Sequence, residues 1–137
     1  MIINLYGTMI NNKFHLELPN IILDKKIRYK VGIIRLYFKL NKQDNSVEDK
    51  SLLSLNTNLI DRSSCNPKQS IVFFNYKKGA LVQYHNAHYI QFQPVYLYEF
   101  SNASFQLRDF QGKDPGLEIR DIFIQLEIKR DDNYGRF

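Results

Sequence analysis

The stretch Lys26-Ile27-Arg28-Tyr29-Lys30-Val31-Gly32-Ile33-Ile34-Arg35-Leu36-Tyr37-Phe38-Lys39-Leu40 decides the fold. Ile27, Tyr29, Val31 and Ile33 hold one phase of a two-residue period, with Lys26, Arg28 and Lys30 opposite. The phase then reverses. Ile34, Leu36, Phe38 and Leu40 are apolar, and Arg35, Tyr37 and Lys39 face the other way. Period two on both sides of the switch excludes a helix and predicts half-buried strand. A strand changes faces only by adding a residue. The switch is therefore either a bulge, for which Gly32 is the natural place, or a short bend joining two strands.

The same pattern recurs on either side. Ile2, Ile3 and Leu5 open a strand that is expected to stop at Gly7, and Phe14, Leu16 and Leu18 alternate with His15 and Glu17. Asn41 to Lys50 is a polar loop, after which Leu53, Leu55, Thr57 and Leu59 alternate with Ser54, Asn56 and Asn58. Ile71 to Tyr76 reads as a compact apolar strand, with Lys77-Lys78-Gly79 as a hairpin turn into Ala80–Tyr84. Tyr89 to Phe92 and Val95 to Phe100 read as strand pieces around Pro94, whose ring suits a sheet edge or a bend. Leu117 to Lys129 repeats the reversal: Leu117 and Ile119 hold one phase, then Ile122, Ile124, Leu126 and Ile128 hold the other. With Asp109-Phe110-Gln111-Gly112 and Asp114-Pro115-Gly116 as turns, the chain predicts an all-β domain over residues 1–130 and a polar tail over 131–137. Roughly eight to ten short strands point to a two-sheet antiparallel sandwich or a barrel. Strands that reverse phase midway suit bending between sheets.

Composition agrees. The 137 residues include ten Phe, nine Tyr and no Trp. Alanine, the best helix former, occurs only at positions 80, 87 and 103. The net charge is +5, and most of the excess lies between Lys25 and Lys42, which holds seven basic residues and no acid. Lys26, Arg28, Lys30, Arg35 and Lys39 form a candidate basic face, able to meet phosphate or simply to be solvated. Cys65 is the lone cysteine, so neither an internal disulfide nor a four-cysteine zinc site is available. No signal peptide and no membrane span is read from the sequence, so a location inside a cell is expected.

Catalytic signatures are absent. There is no Gly-rich phosphate loop, no G-x-S-x-G elbow and no His-Glu-x-x-His. His85 and His88 stand three apart, but a metal would need a distant third ligand such as His15 or Asp61. The loop around Cys65 has nothing to lower a thiol pKa. No enzyme and no cofactor is therefore expected. The aromatics are the remaining candidates. Alternation puts Tyr96, Tyr98 and Phe100 on one face and Val95, Leu97 and Glu99 on the other. Both faces are largely apolar, so cover on both sides is expected. Tyr89, Tyr96, Tyr98 and Phe100 become candidate subunit-interface residues.

The second half carries a family resemblance. Leu53-Ser54-Leu55-Asn56-Thr57-Asn58-Leu59-Ile60 is followed by Asn66, the apolar strand Ile71–Phe74, Gly79 and the pair Tyr96-Leu97. Then come Phe105-Gln106-Leu107-Arg108-Asp109-Phe110-Gln111-Gly112, Gly116 and the closing strand Ile122–Ile128. This order is similar to the C-terminal region of the penton-like minor capsid proteins of Maverick/Polinton elements and adintoviruses. Its most specific piece is Leu107-Arg108-Asp109-x-x-Gly112, and it spans residues 52–129. The chain departs from the family in having Asp114-Pro115-Gly116 before the last strand and Glu127 within it. The resemblance implies a single jelly-roll sandwich of roughly eight strands that self-assembles as a pentamer beside a major capsid protein, with nucleic acid as a partner for the basic face. A domesticated copy of such a gene would read the same way. The sequence also leaves open a β-sandwich module binding carbohydrate or protein, and a nucleic-acid-binding β-barrel.

Overall fold

A computed structural model describes residues 1–10, 13–40, 51–61, 69–77, 81–85 and 89–132. The strands are β1 (Ile2–Ile10), β2 (Lys13–Leu16), β3 (Tyr29–Leu40), β4 (Leu52–Thr57), β5 (Ser70–Asn75), β6 (Leu81–His85), β7 (Gln93–Pro94), β8 (Phe105–Asp109) and β9 (Ile119–Arg130). One 3₁₀ turn spans Phe100–Asn102. All strand pairs are antiparallel.

The larger sheet has the order β2-β1-β9-β3-β6, with β7 also paired to β3; the smaller has the order β5-β4-β8. The fold is an all-β sandwich. With the short β2 and β7 set aside, first strand pairs with last, last with β3, and β3 with β6, while β8-β4-β5 form the facing layer. That is jelly-roll connectivity. Between β2 and β3 the chain adds only the isolated bridge Ile22–Glu99, flanked by Leu23 N–H to Tyr98 O and Phe100 N–H to Ile21 O, both 2.9 Å.

The two phase reversals are bulges within one ladder. Ile33 pairs with Leu126 and Arg35 with Gln125, so Ile34 is the extra residue. Lys39 pairs with Asp121 and Leu40 with Ile119, so Arg120 is the extra residue on β9. Both strands thus stay in one sheet rather than turning between sheets. The bulge falls at Ile34, not Gly32. Gly32 serves a different need, because residues 90–92 cross the sheet directly over it. A Cβ there would meet Ile90 Cγ2 at 2.5 Å and Gln91 O at 2.9 Å.

The core lies between the layers. Leu5, Leu36, Phe38, Ile124 and Leu126 project from the larger sheet against Leu53, Leu55, Phe74 and Leu107 of the smaller, all buried. Phe38 and Phe74 meet edge-on across the interface at 6.2 Å. The smaller sheet has a buried polar knot: Asn56 Oδ1 accepts hydrogen bonds from Ser54 and Ser70 hydroxyls, each 3.0 Å.

Three local expectations are corrected. β1 continues through Gly7 to Ile10, because β2 lies so close there that a side chain would strike the His15 carbonyl. β5 and β6 are not a hairpin. They lie in different sheets and do not pair, and residues 78–80 of the expected turn lie outside the described residues. Neither piece expected around Pro94, 89–92 or 95–100, is strand; the strand there is Gln93–Pro94, between them.

Candidate functional site

Strand order sets the outer face of the larger sheet. Tyr6 pairs with Phe123, Phe123 with Tyr37 and Tyr37 with Gln83. Side chains directly opposite on one face are neighbours, so these residues form a row across four strands. The rings of Tyr6 and Phe123 lie 4.9 Å apart, and those of Phe123 and Tyr37 lie 5.9 Å apart and stacked. Each pair falls within the range of favourable ring contacts.

Polar rows flank the aromatics. On one side Asn4, Gln125, Arg35 and His85 are successive register partners. Gln125 Nε2 donates to Asn4 Oδ1 at 3.0 Å, and Arg35 Nη2 lies 3.5 Å from His85 Nε2. The Arg35 guanidinium also sits 5.6 Å from the centre of the Tyr37 ring, a cation–π placement. On the other side Thr8, Asp121 and Lys39 are partners, and Asp121 is held by Arg120 Nε at 2.9 Å. A shallow cleft of about 420 Å³ opens over Tyr6, Phe123 and Tyr37 towards Lys39, Asp121 and Gln83.

The structure distributes the basic residues over three places. Lys26 and Arg28 are exposed on the approach to β3, where Asp24 accepts the Lys26 N–H at 2.9 Å. Lys30 pairs with Lys129 across the ladder, and both ammonium groups lie over the Phe92 ring, at 5.6 and 4.2 Å. Like charges directly opposite repel; the shared ring offsets part of this. Arg35 and Lys39 belong to the rows beside the aromatics.

Nor do the four aromatic interface candidates share a surface. Tyr89 is 69% exposed and Tyr96 47%. Tyr98 is half-buried, its hydroxyl donating to Ile27 O at 3.1 Å and its ring edge-on to Tyr29 at 6.0 Å. Phe100 is 1% exposed and belongs to the core, so it is corrected from surface to interior. The alternation fails because 95–100 has no regular partner strand. Val95 N–H bonds Tyr29 O, Tyr96 N–H bonds Leu59 O, and Phe100 N–H bonds Ile21 O.

His15 is exposed, and Cys65 and His88 lie outside the described residues. Among the described residues no group of three His, Cys, Asp or Glu side chains could hold a metal ion, and no helix is long and apolar enough to cross a membrane. What the outer face offers is ring stacking and hydrogen bonding. Sequence reasoning placed Tyr37 outward but missed Tyr6 and Phe123. The available signal was an aromatic on the outward phase of the last strand, at Phe123 between Asp121 and Gln125.

No family model, curated protein or solved structure matches the chain.

Proposed function

We propose that this chain is a structural subunit that self-assembles, a jelly roll of the penton-like capsid-vertex type or a domesticated derivative of one. The observation that carries the reading is the strand order, β1-β9-β3-β6 facing β8-β4-β5. The segment with the family resemblance supports it, since its pattern has a physical role. Asp109 ends β8 and its carboxylate accepts the Gln111 and Lys113 N–H groups, each at 2.9 Å. Gly112 takes φ 80°, which closes the turn. Function on this reading is geometric: rigid sheets present loops whose contacts repeat around an axis. Tyr89, Tyr96, Phe110 and Ile22 are large, apolar and exposed outside the strands, which suits head-to-tail contacts in a closed ring. Exposed Lys26, Arg28 and Lys39 are the contacts this reading offers to packaged nucleic acid.

Sedimentation velocity and native mass spectrometry over a wide protein concentration range test this. The expected result is a ring of five copies, or incorporation at the vertices of a particle formed by a co-expressed major capsid protein. The double variant Tyr89→Ser/Phe110→Ser should shift the population to monomer without changing thermal stability. A chain that stays monomeric at the highest concentration and does not join a co-expressed capsid would overturn the proposal.

A further inference from the structure

We propose that the outer face of the larger sheet binds a neutral carbohydrate, seated on the row Tyr6–Phe123–Tyr37 and hydrogen-bonded by Lys39, Asp121 and Gln83. This goes beyond the assembly reading and does not depend on it.

Ring geometry comes first. Phe123 contacts both neighbours, so the three rings hold one another in place across β1, β9 and β3. The C–H-rich face of a pyranose carries slight positive charge and lies well on the negative face of an aromatic ring. Charge comes second. Asp121 is bridged by Arg120 at 2.9 Å and stands opposite Lys39 in the ladder, so its carboxylate brings no uncompensated negative charge to the cleft. Phosphates of a single strand would meet the Asp121 carboxylate beside the ring row, which disfavours nucleic acid despite the ring platform. The hydrogen-bonding groups come third. An ionised carboxylate accepts from several hydroxyls, an ammonium donates up to three bonds, and a carboxamide does both. Vicinal hydroxyls require this mixture. The adjoining Asn4-Gln125-Arg35-His85 row extends the polar rim. A second copy of the chain suits the face less well, because the Lys39 and Asp121 charges beside the rings would be buried, and interface cores are depleted in such residues. The cleft volume, about 420 Å³, is that of a small-ligand site.

The test is a printed array of neutral and acidic glycans, followed by calorimetry with the soluble form of each glycan that binds. The expected result is saturable binding of a neutral glycan that changes little with salt. Tyr6→Ala, Phe123→Leu and Asp121→Asn should each weaken it about tenfold, while Tyr89→Ala leaves it unchanged. Tyr6 and Asp121 are exposed, so their variants carry the test if Phe123→Leu unfolds the chain. No glycan bound on the array would overturn the proposal, as would affinity untouched by Tyr6→Ala and Asp121→Asn. Salt-sensitive binding of oligothymidylate with no glycan bound would overturn it in favour of nucleic acid. A Phe123→Leu chain that loses oligomers, with no glycan bound by the parent, would overturn it in favour of a subunit interface.

Discussion

Gly32 and Asp109 each hold a local geometry with a single group. At Gly32 it is a hydrogen where any other residue has a carbon. The segment 90–92 crosses so closely that Gly32→Ala must displace Ile90 and the Gln91 carbonyl. Overpacking of this kind costs about 1–3 kcal/mol, and urea denaturation should show that loss. It should also disturb the Phe92 ring beneath Lys30 and Lys129. At Asp109 one carboxylate oxygen holds two backbone N–H groups of the turn after β8. Asp109→Ala should destabilise by about 1–3 kcal/mol, and Asp109→Asn, which keeps an acceptor oxygen, by less. Equal losses for Ala and Asn would show that the acceptor is not what matters.

The bulges at Ile34 and Arg120 make a prediction about strands. Removing Ile34 leaves Ile33, Leu36, Phe38 and Leu40 facing the core, because the bulge residue is the one outside the alternation. The single-residue deletion of Ile34 should fold, with near-parental circular dichroism. Inserting one Ala after Tyr37 should not, since Phe38 and Leu40 would then point to solvent. The reversals were legible in the sequence because periodicity survives on both sides of a bulge. The bulge's position was not. Gly32 looked the natural place, but its missing side chain answers a crossing segment that comes from far along the chain. Residues 95–100 failed for a related reason. Alternation predicts facing only where a ladder imposes it, and here the backbone bonds go to Tyr29, Leu59 and Ile21.

For the whole molecule, β9 and β3 are central and long, with strands on both sides, whereas β2 and β7 are short. Amide hydrogen exchange should be slowest in β3 and β9, near the rate of global unfolding, and fastest in β2 and β7. Comparable protection in β2 and β9 would contradict this order. Composition and turn spacing revealed the sandwich, but strand order is not a local property. Tyr6, Tyr37 and Phe123 meet only because the last strand inserts between the first and the third. A reading that treats each strand separately sees three unrelated aromatics.

The paired bulges have a further consequence. Ile33 opposite Leu126 and Leu40 opposite Ile119 share one register, and the pairs between them are offset by one position. Ile34 and Arg120 therefore act like two compensating frameshifts. They bracket a reading window of five residues on each strand, 35–39 and 121–125, which carries Arg35, Tyr37, Lys39, Asp121, Phe123 and Gln125 outward. Residues outside the window keep their partners so long as its length and its inward residues Leu36, Phe38, Ile122 and Ile124 are kept. The window is thus an exchangeable cassette: grafting new outward residues there, three per strand, should rewrite the surface chemistry of the sheet and leave the core-facing layer and its register as they are.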